Sequence, residues 1–358
     1  IQKSEDVIHS LWFFKEDYSE LHVIAAGSLL EFALKDLSSF GVGRVSSLFV
    51  YPMSFDEFLM ATGQEGLLRT KRNSSPTNPL PEAFYNRLVE DFRSYMLVGG
   101  MPEAVATYSE SGSYRYSSDV VNEIIQGYQD DFAKYGAKAN PLLLRQTLIS
   151  VAHQAGAKFV YSRVEGQYRS AEVKVALEML KDAGLIIPTY HTDANGVPLG
   201  AEINERVVKY LVHDTGVLLG ILGIDDDIDD SIKEMMVADS IDLVDKGHVA
   251  EMMAGLELIK YSSPQKRHQL YYWQNMNKGT CAEVDYVIAR RGSIVPIEVK
   301  SGVKGSMSSM YSLMRNPQKH IEMGIRSSLE NFGTFESPDG KKIDIIPLYA
   351  ISNLFAEK

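Results

Sequence analysis

The sequence predicts a multidomain α/β protein, and three observations carry that expectation. A strand–helix–strand pattern opens the chain, and a run of helices fills its middle. In the last third stands a pair of strands, with Asp on one and Glu-x-Lys on the other. With 358 residues there is room for two or three domains at roughly 100–200 residues each. The 45% hydrophobic and 23% charged residues are those of an ordinary globular chain, not a disordered or fibrous one.

In the first part, His22 to Ala26 is a short β-rich run ending at Gly27-Ser28, and an amphipathic stretch, Leu29 to Leu37, follows. Ser47 to Tyr51 is the next strand candidate, ended by Pro52. Ser54 then caps a helix, and Glu57 three residues on completes a capping box. Lys71 to Pro81, rich in Asn, Ser and Pro, is a loop and a domain boundary.

Helices are expected over Pro81–Val98, ended by Gly99-Gly100-Met101-Pro102, over Asp119–Tyr135, and from Asn140-Pro141 onward, where Pro suits the first helical turn. In Ser170–Asp182 the apolar residues Val173, Ala176, Leu177 and Leu180 recur at i, i+3, i+4 and i+7, and Gly184 stops the helix. A strand over Leu185–Tyr190 and an Asn195-Gly196 turn follow. Helix, helix, strand and hairpin turn is the order of a winged helix. Asn140 to Tyr190 carries 6 basic and 4 acidic residues, a weak nucleic-acid footprint in which Arg169 and Lys174 are the candidate contacts. Solvated helix charges are the plainer reading of both.

Several function classes fall away. One cysteine, Cys281, excludes an internal disulfide, a multi-cysteine zinc site and an iron–sulfur cluster, and agrees with a cytoplasmic location. The longest apolar run, Val217 to Ile224, is far short of the ~20 residues of a membrane span, so no membrane partner is expected. No His-Glu-x-x-His and no Gly-x-Ser-x-Gly occurs. The net charge of −11 means that nucleic acid could bind only at a local basic patch. Charge changes sign within the last third: Ile224–Glu257 holds 11 acidic and 2 basic residues, Leu258–Lys304 holds 8 basic and 3 acidic. Tyr272-Trp273 reads as sheet core rather than a base-stacking platform.

The sharpest chemical signal lies there. Ala282–Ala289 is a strand, Arg290-Arg291-Gly292 a turn, and Ser293–Lys300 a second strand. Alternation places Glu298 and Lys300 on one face, and Asp285 opposite Val284, Tyr286 and Ile288. Upstream, Val249, Met252, Met253 and Leu256 form a helical stripe with Glu251 off it, able to face the same spot. Carboxylates on a rigid sheet hold Mg²⁺ at about 2.0–2.1 Å and leave positions for water and phosphate. A neighbouring Lys can orient or deprotonate the attacking water. Alone, Glu-x-Lys is surface charge on a half-exposed strand; with Asp285 and Glu251 in order it becomes a candidate metal centre.

In that order, Glu251, Asp285, Glu298 and Lys300 resemble the pattern of the PD-(D/E)XK nuclease superfamily. The resemblance implies a restriction-endonuclease-like αβ core with a mixed sheet. It further implies Mg²⁺ on Glu251, Asp285 and Glu298, catalysis by Asp285, Glu298 and Lys300, and phosphodiester cleavage. No Gln-x-x-x-Tyr follows Lys300, a signature only some members carry.

A second resemblance covers essentially the whole chain. Ala26-Gly27-Ser28, Gly43-Arg44, Pro52-x-Ser54-Phe55-x-Glu57-Phe58, Gly99-Gly100-x-Pro102, Asp182-Ala183-Gly184-Leu185, Lys209-Tyr210-x-x-x-Asp214-x-Gly216, Tyr272-Trp273 and Glu283-Val284-Asp285 stand in one order. This order resembles a family of prokaryotic AAA-type ATPases with a nuclease-like C-terminal domain of unknown function. It implies four parts: the end of a P-loop AAA-type domain (1–70), a helical lid (71–138), a winged helix (139–204) and a PD-(D/E)XK-like domain (205–358). Ser28 resembles a γ-phosphate sensor and Arg44 an arginine finger. The chain opens at Ile1 and reads as a fragment or processed product. It contains no G-x-x-x-x-G-K-S/T, so ATP is expected in an intact parent and not in this chain. The expected function is DNA processing at the Mg²⁺ centre, with nucleic acid as partner and a homo-oligomer left open. The alternative is an ATP-regulated protein-interaction or DNA-binding scaffold with an inactive nuclease-like domain.

Overall fold

The computed structural model describes residues 5–27, 45–133, 140–223, 230, 246–275, 282–302 and 305–355. Ser28, Arg44, Cys281, the expected helix at 29–37 and most of the acid run lie outside them. The helices are α1 (Glu5–Asp17), α2 (Phe55–Ala61), α3 (Glu65–Arg72), α4 (Glu82–Val98), α5 (Pro102–Ser111), α6 (Tyr114–Phe132), α7 (Pro141–His153), α8 (Ser170–Asp182), α9 (Thr215–Ile221), α10 (Lys246–Lys260) and α11 (Ser308–Arg315). The strands are β1 (Ile186–Thr192), β2 (Ile203–Val212), β3 (Leu270–Gln274), β4 (Glu283–Val284), β5 (Tyr286–Arg290), β6 (Ser293–Val299), β7 (Met323–Ser327), β8 (Gly333–Glu336) and β9 (Lys342–Ile345). No described helix is long and apolar enough to cross a membrane.

Local chemistry sets the helix starts. Ser54 Oγ accepts from Glu57 N–H at 3.4 Å, and Glu57 Oε2 accepts from Ser54 N–H at 2.7 Å, so each satisfies an orphan donor of α2. Asn140 caps α7 through Leu142 N–H at 2.9 Å, with Pro141 behind it. At α8 it is Glu172 that reaches back to Arg169 N–H, at 2.7 Å.

The strands form two mixed sheets, β2-β1-β3-β4 and β5-β6-β7-β9-β8. In the first, β1 pairs antiparallel with β2 and parallel with β3, and β3 pairs antiparallel with β4. In the second, β6 lies between antiparallel β5 and parallel β7. Helix α10 packs against β2, β3 and β6, with its residues 249–259 buried. It therefore faces strands of both sheets. One apolar core runs from Phe55 through the helices and α10 to Leu354; a smaller one around Trp273, Met310 and Ile343 lies on the second sheet.

The structure departs from the sequence reading in four places. Residues 21–27 and 45–51 are not strands, because no described segment offers them a ladder, and a strand's N–H and C=O groups need one. Ile24 is 97% and Val50 85% exposed there. The turn at Asn195-Gly196 is a longer connection that includes the short 3-10 helix Leu199–Glu202, with Glu202 accepting from Asn195 Nδ2–H at 3.1 Å. The expected strand Ala282–Ala289 breaks at Asp285, where the chain leaves β3 as partner and takes up β6. The helix–helix–strand–strand order of 141–212 is present. Its hairpin, however, is the edge of a four-stranded sheet, and β2 runs through the expected 204/205 division.

Candidate functional site

The hairpin that carries the Glu-x-Lys is closed by Arg291 and Gly292 at φ +50° and +79°. Two left-handed residues between Arg290 and Ser293 match the right-handed twist of the strands they join. The register set by this turn puts Tyr286 opposite Ile297 and leaves Asp285 beside the end of β6. There Asp285 Oδ2 accepts the Val299 N–H at 2.7 Å. Glu298 Oε1 accepts from Lys300 Nζ at 2.7 Å. Glu298 Oε2 is buried without a hydrogen-bond partner among the described residues.

From the other side, α10 brings Glu251. Tyr286 OH donates to the Glu251 carbonyl at 2.8 Å and fixes the helix over β5. Glu251 Oε1 accepts from Lys209 Nζ at 2.8 Å, and the same ammonium lies 2.5 Å from Glu283 Oε1 on β4. Lys209, on β2, is only 1% exposed and sits 5.0 Å from the centroid of the Tyr272 ring.

Four acids, buried Glu251 and Glu298 and partly buried Glu283 and Asp285, thus form one cluster with buried Lys209 and the partly exposed Lys300. Burial, then the charges of Asp285 and Glu283, push the Glu251 carboxyl up to about 8 against the pull of Lys209. Burial, then Asp285, push Glu298 up to about 7 against the pull of Lys300. Burial raises Asp285, opposed by the Val299 N–H, Lys209 and Lys300. Fully ionised, the cluster carries two negative charges in excess. Two protons or one divalent cation would balance them.

The donor set suits a hard cation, since carboxylate oxygens are what Mg²⁺ takes. Yet no three His, Cys, Asp or Glu side chains among the described residues are arranged to hold a metal ion. On one side the Lys209 ammonium already binds two of the acids. On the other side the unpartnered Glu298 Oε2 beside Asp285 fits a cation that takes two protein carboxylates and completes its shell with water or phosphate.

Of the residues singled out from the sequence, Glu251, Asp285, Glu298 and Lys300 stand in this cluster. Arg169 and Lys174 do not: both are exposed at the start of α8, with Arg169 paired to Glu172 at 3.5 Å. Sequence reasoning gave no role to Lys209 or Glu283. A signal existed for Lys209: it is the one charged residue in Val207–Val212. Tyr272 and Trp273 are buried, as sheet core. A cavity of about 690 Å³, lined by Tyr51, Tyr128, His213 and Arg267 among others, contains none of the four acids.

The other motifs meet at a second buried polar cluster. Gly100 N–H donates to Asp214 Oδ2 at 2.6 Å, while Val217 N–H donates to Asp214 Oδ1 at 3.1 Å, so one carboxylate caps α9 and holds the Gly-Gly turn. Met53 N–H donates to the Gly100 carbonyl at 2.7 Å. Tyr95 OH lies 2.6 Å from the Met53 carbonyl and 3.0 Å from Glu257 Oε1. Lys260 Nζ donates to the Met53 carbonyl at 3.0 Å. Asp56 pairs with buried Lys71 and with Arg72. Here glycine is required by space: a Cβ on Gly100 would lie 2.2 Å from the Met53 carbonyl oxygen.

Comparison with known families divides the chain in three. Residues 1–59 match the family described as an AAA domain. Residues 89–228 match a domain of unknown function, DUF8612, and residues 246–351 match another, DUF4143. These matches support a relation to the AAA-type ATPases. No curated protein and no solved structure matches the chain.

Proposed function

We propose that the C-terminal third is a divalent-cation-dependent phosphodiesterase centre acting on nucleic acid, attached to an AAA-type ATPase part. The observation that carries this reading is the Glu298–Lys300 pair at 2.7 Å beside Asp285, inside a buried group with excess negative charge. Bound Mg²⁺, held by carboxylates from this group, would supply a polarised water and charge neutralisation at a phosphoryl oxygen. Lys300, 21% exposed at its side chain, stands where the cluster meets solvent and can orient or deprotonate a water. Asp285 is held by the N–H of Val299, the residue that follows Glu298. The exposed Arg169 and Lys174, on a helix followed by a strand pair in the winged-helix order, would add contacts to a phosphate backbone.

A second reading, an interaction scaffold with an inactive nuclease-like domain, is favoured by one observation: no three metal-donor side chains converge among the described residues. The experiment is Mg²⁺- or Mn²⁺-dependent cleavage of plasmid and single-stranded DNA, wild type beside Lys300→Ala and Asp285→Ala. Cleavage lost in both variants supports the nuclease. No cleavage and no metal binding by wild type leaves the scaffold.

A further inference from the structure

We infer that Lys209 is a built-in cation that divides the four acids into two pairs: Glu251 and Glu283 belong to its ammonium, and Asp285 and Glu298 are left for a single divalent cation. The inference rests on the metal-dependent reading above and changes its ligand set, because the nuclease resemblance gives Glu251 to the metal.

Three observations carry it. The Lys209 ammonium has three N–H groups, and its surroundings supply partners for all of them: Glu251 Oε1 at 2.8 Å, Glu283 Oε1 at 2.5 Å and the face of Tyr272. It is also buried, at 1% exposure, so a metal that took its acids would leave it as a buried cation without partners. Breaking such a pair leaves an uncompensated buried charge, which is strongly destabilising. Finally, the free coordinating capacity lies elsewhere. Glu298 Oε2 has no partner among the described residues, and Asp285, which accepts the N–H of the next residue, Val299, is close enough for its charge to act on Glu298.

Charge then sets the stoichiometry. With Lys209 and Lys300 counted, the ionised cluster is two charges negative, which one divalent cation neutralises. A second cation would leave an excess of positive charge in a buried site and would have to displace Lys209. Mg²⁺ commonly uses one or two protein carboxylates and fills its remaining positions with water and substrate phosphate, so Asp285 and Glu298 suffice as the acidic ligands.

The test uses the full chain, stripped of metal, with Mn²⁺ as probe and the free ion followed by electron paramagnetic resonance. Wild type is expected to bind one Mn²⁺. Asp285→Asn and Glu298→Gln are expected to weaken binding about tenfold or more, while Glu251→Gln and Glu283→Gln stay within about threefold of wild type. The last two are expected instead to lower the melting temperature, because each takes a partner from the Lys209 ammonium. Should Glu251→Gln fail to fold, Glu283→Gln, whose side chain is 29% exposed, makes the same comparison. If Glu251→Gln or Glu283→Gln loses Mn²⁺ as Glu298→Gln does, or if wild type binds two, the division by Lys209 is overturned and the metal reading stands. If wild type binds none, both are overturned.

Discussion

Glu298→Gln in metal-free protein gives a sharp test of the electrostatics. In the unfolded chain this carboxyl loses its proton near 4.5, but in the folded protein burial and Asp285 hold the proton until about 7. The folded state therefore binds the proton more tightly. Its contribution is fully present below pH 4.5 and is lost as pH rises towards 7, so ionising Glu298 destabilises the fold. The interval from 4.5 to about 7, at about 1.4 kcal/mol per pH unit, comes to on the order of 3 kcal/mol. Gln cannot ionise, so that loss disappears. The substitution also has a pH-independent cost, since a buried amide replaces an oxygen that has no described partner, roughly 1–3 kcal/mol. Urea denaturation in EDTA, followed by the buried Trp273, separates the two. Between about pH 5 and pH 8.5 the variant should gain on the order of 2 kcal/mol relative to wild type, whatever its absolute stability at either pH. An unchanged difference between wild type and variant at the two pH values would refute the reasoning, as would a variant that loses ground at the higher pH.

Other perturbations follow from the same geometry. Gly100→Ala, whose Cβ would meet the Met53 carbonyl oxygen at 2.2 Å, should lower stability by about 3 kcal/mol or more in urea denaturation, whereas Gly63→Ala, with nothing within 4 Å, should cost only about 1 kcal/mol. Asp214→Ala removes both the α9 cap and the partner of the Gly100 N–H, and should cost roughly 2–4 kcal/mol as measured by thermal melting. If α8 meets a phosphate backbone, Arg169→Glu with Lys174→Glu should abolish anisotropy-detected binding of a labelled duplex at low salt without changing the melting temperature, because both side chains are exposed. Unchanged binding in that double variant would remove the winged-helix contact.

What the sequence made legible was whatever depends on neighbours in the chain. The Ser54–Glu57 box, the Asn140 cap, the Ser170–Asp182 helix and the Arg291-Gly292 turn are all local, and each stands where its residues put it. Spacing along the hairpin also placed Glu298 next to Lys300 and Asp285 near both, because strand alternation is local too. What it did not show depends on partners distant in sequence. The runs at 21–27 and 45–51 have strand-like composition, but composition cannot supply a sheet neighbour. Asp285 interrupts its strand because β3 ends as a partner there and β6 begins. Lys209 is 42 residues from Glu251 and farther still from Glu283, so no short motif could join them. Only a lone cation in the apolar run Val207–Val212 hinted that it has buried acidic company.

The placement of α10 explains why motifs spread over the whole chain belong to one structure. Its first half presents Glu251 to Lys209. Its last residues and Tyr261 just after it hold the segment before and at the start of α2, through Glu257 with Tyr95 and the Phe55 N–H at 3.3 Å, Lys260 with the Met53 carbonyl, and Tyr261 OH with Asp56 N–H at 3.1 Å. Six residues of helix, about 9 Å at 1.5 Å per residue, separate Glu251 from Glu257. The segment held at the far end lies within the AAA-matching residues, and the Gly-Gly turn and Asp214 lock it from the opposite side. Burial largely excludes water from Glu251 and Glu257, so neither set of hydrogen bonds can be exchanged for solvent at low cost. A shift of residues 53–56 must therefore break buried bonds at Glu257 and Lys260 or carry α10 with it. Carrying α10 moves Glu251 against Lys209, the contact that sets the charge balance of the acidic cluster.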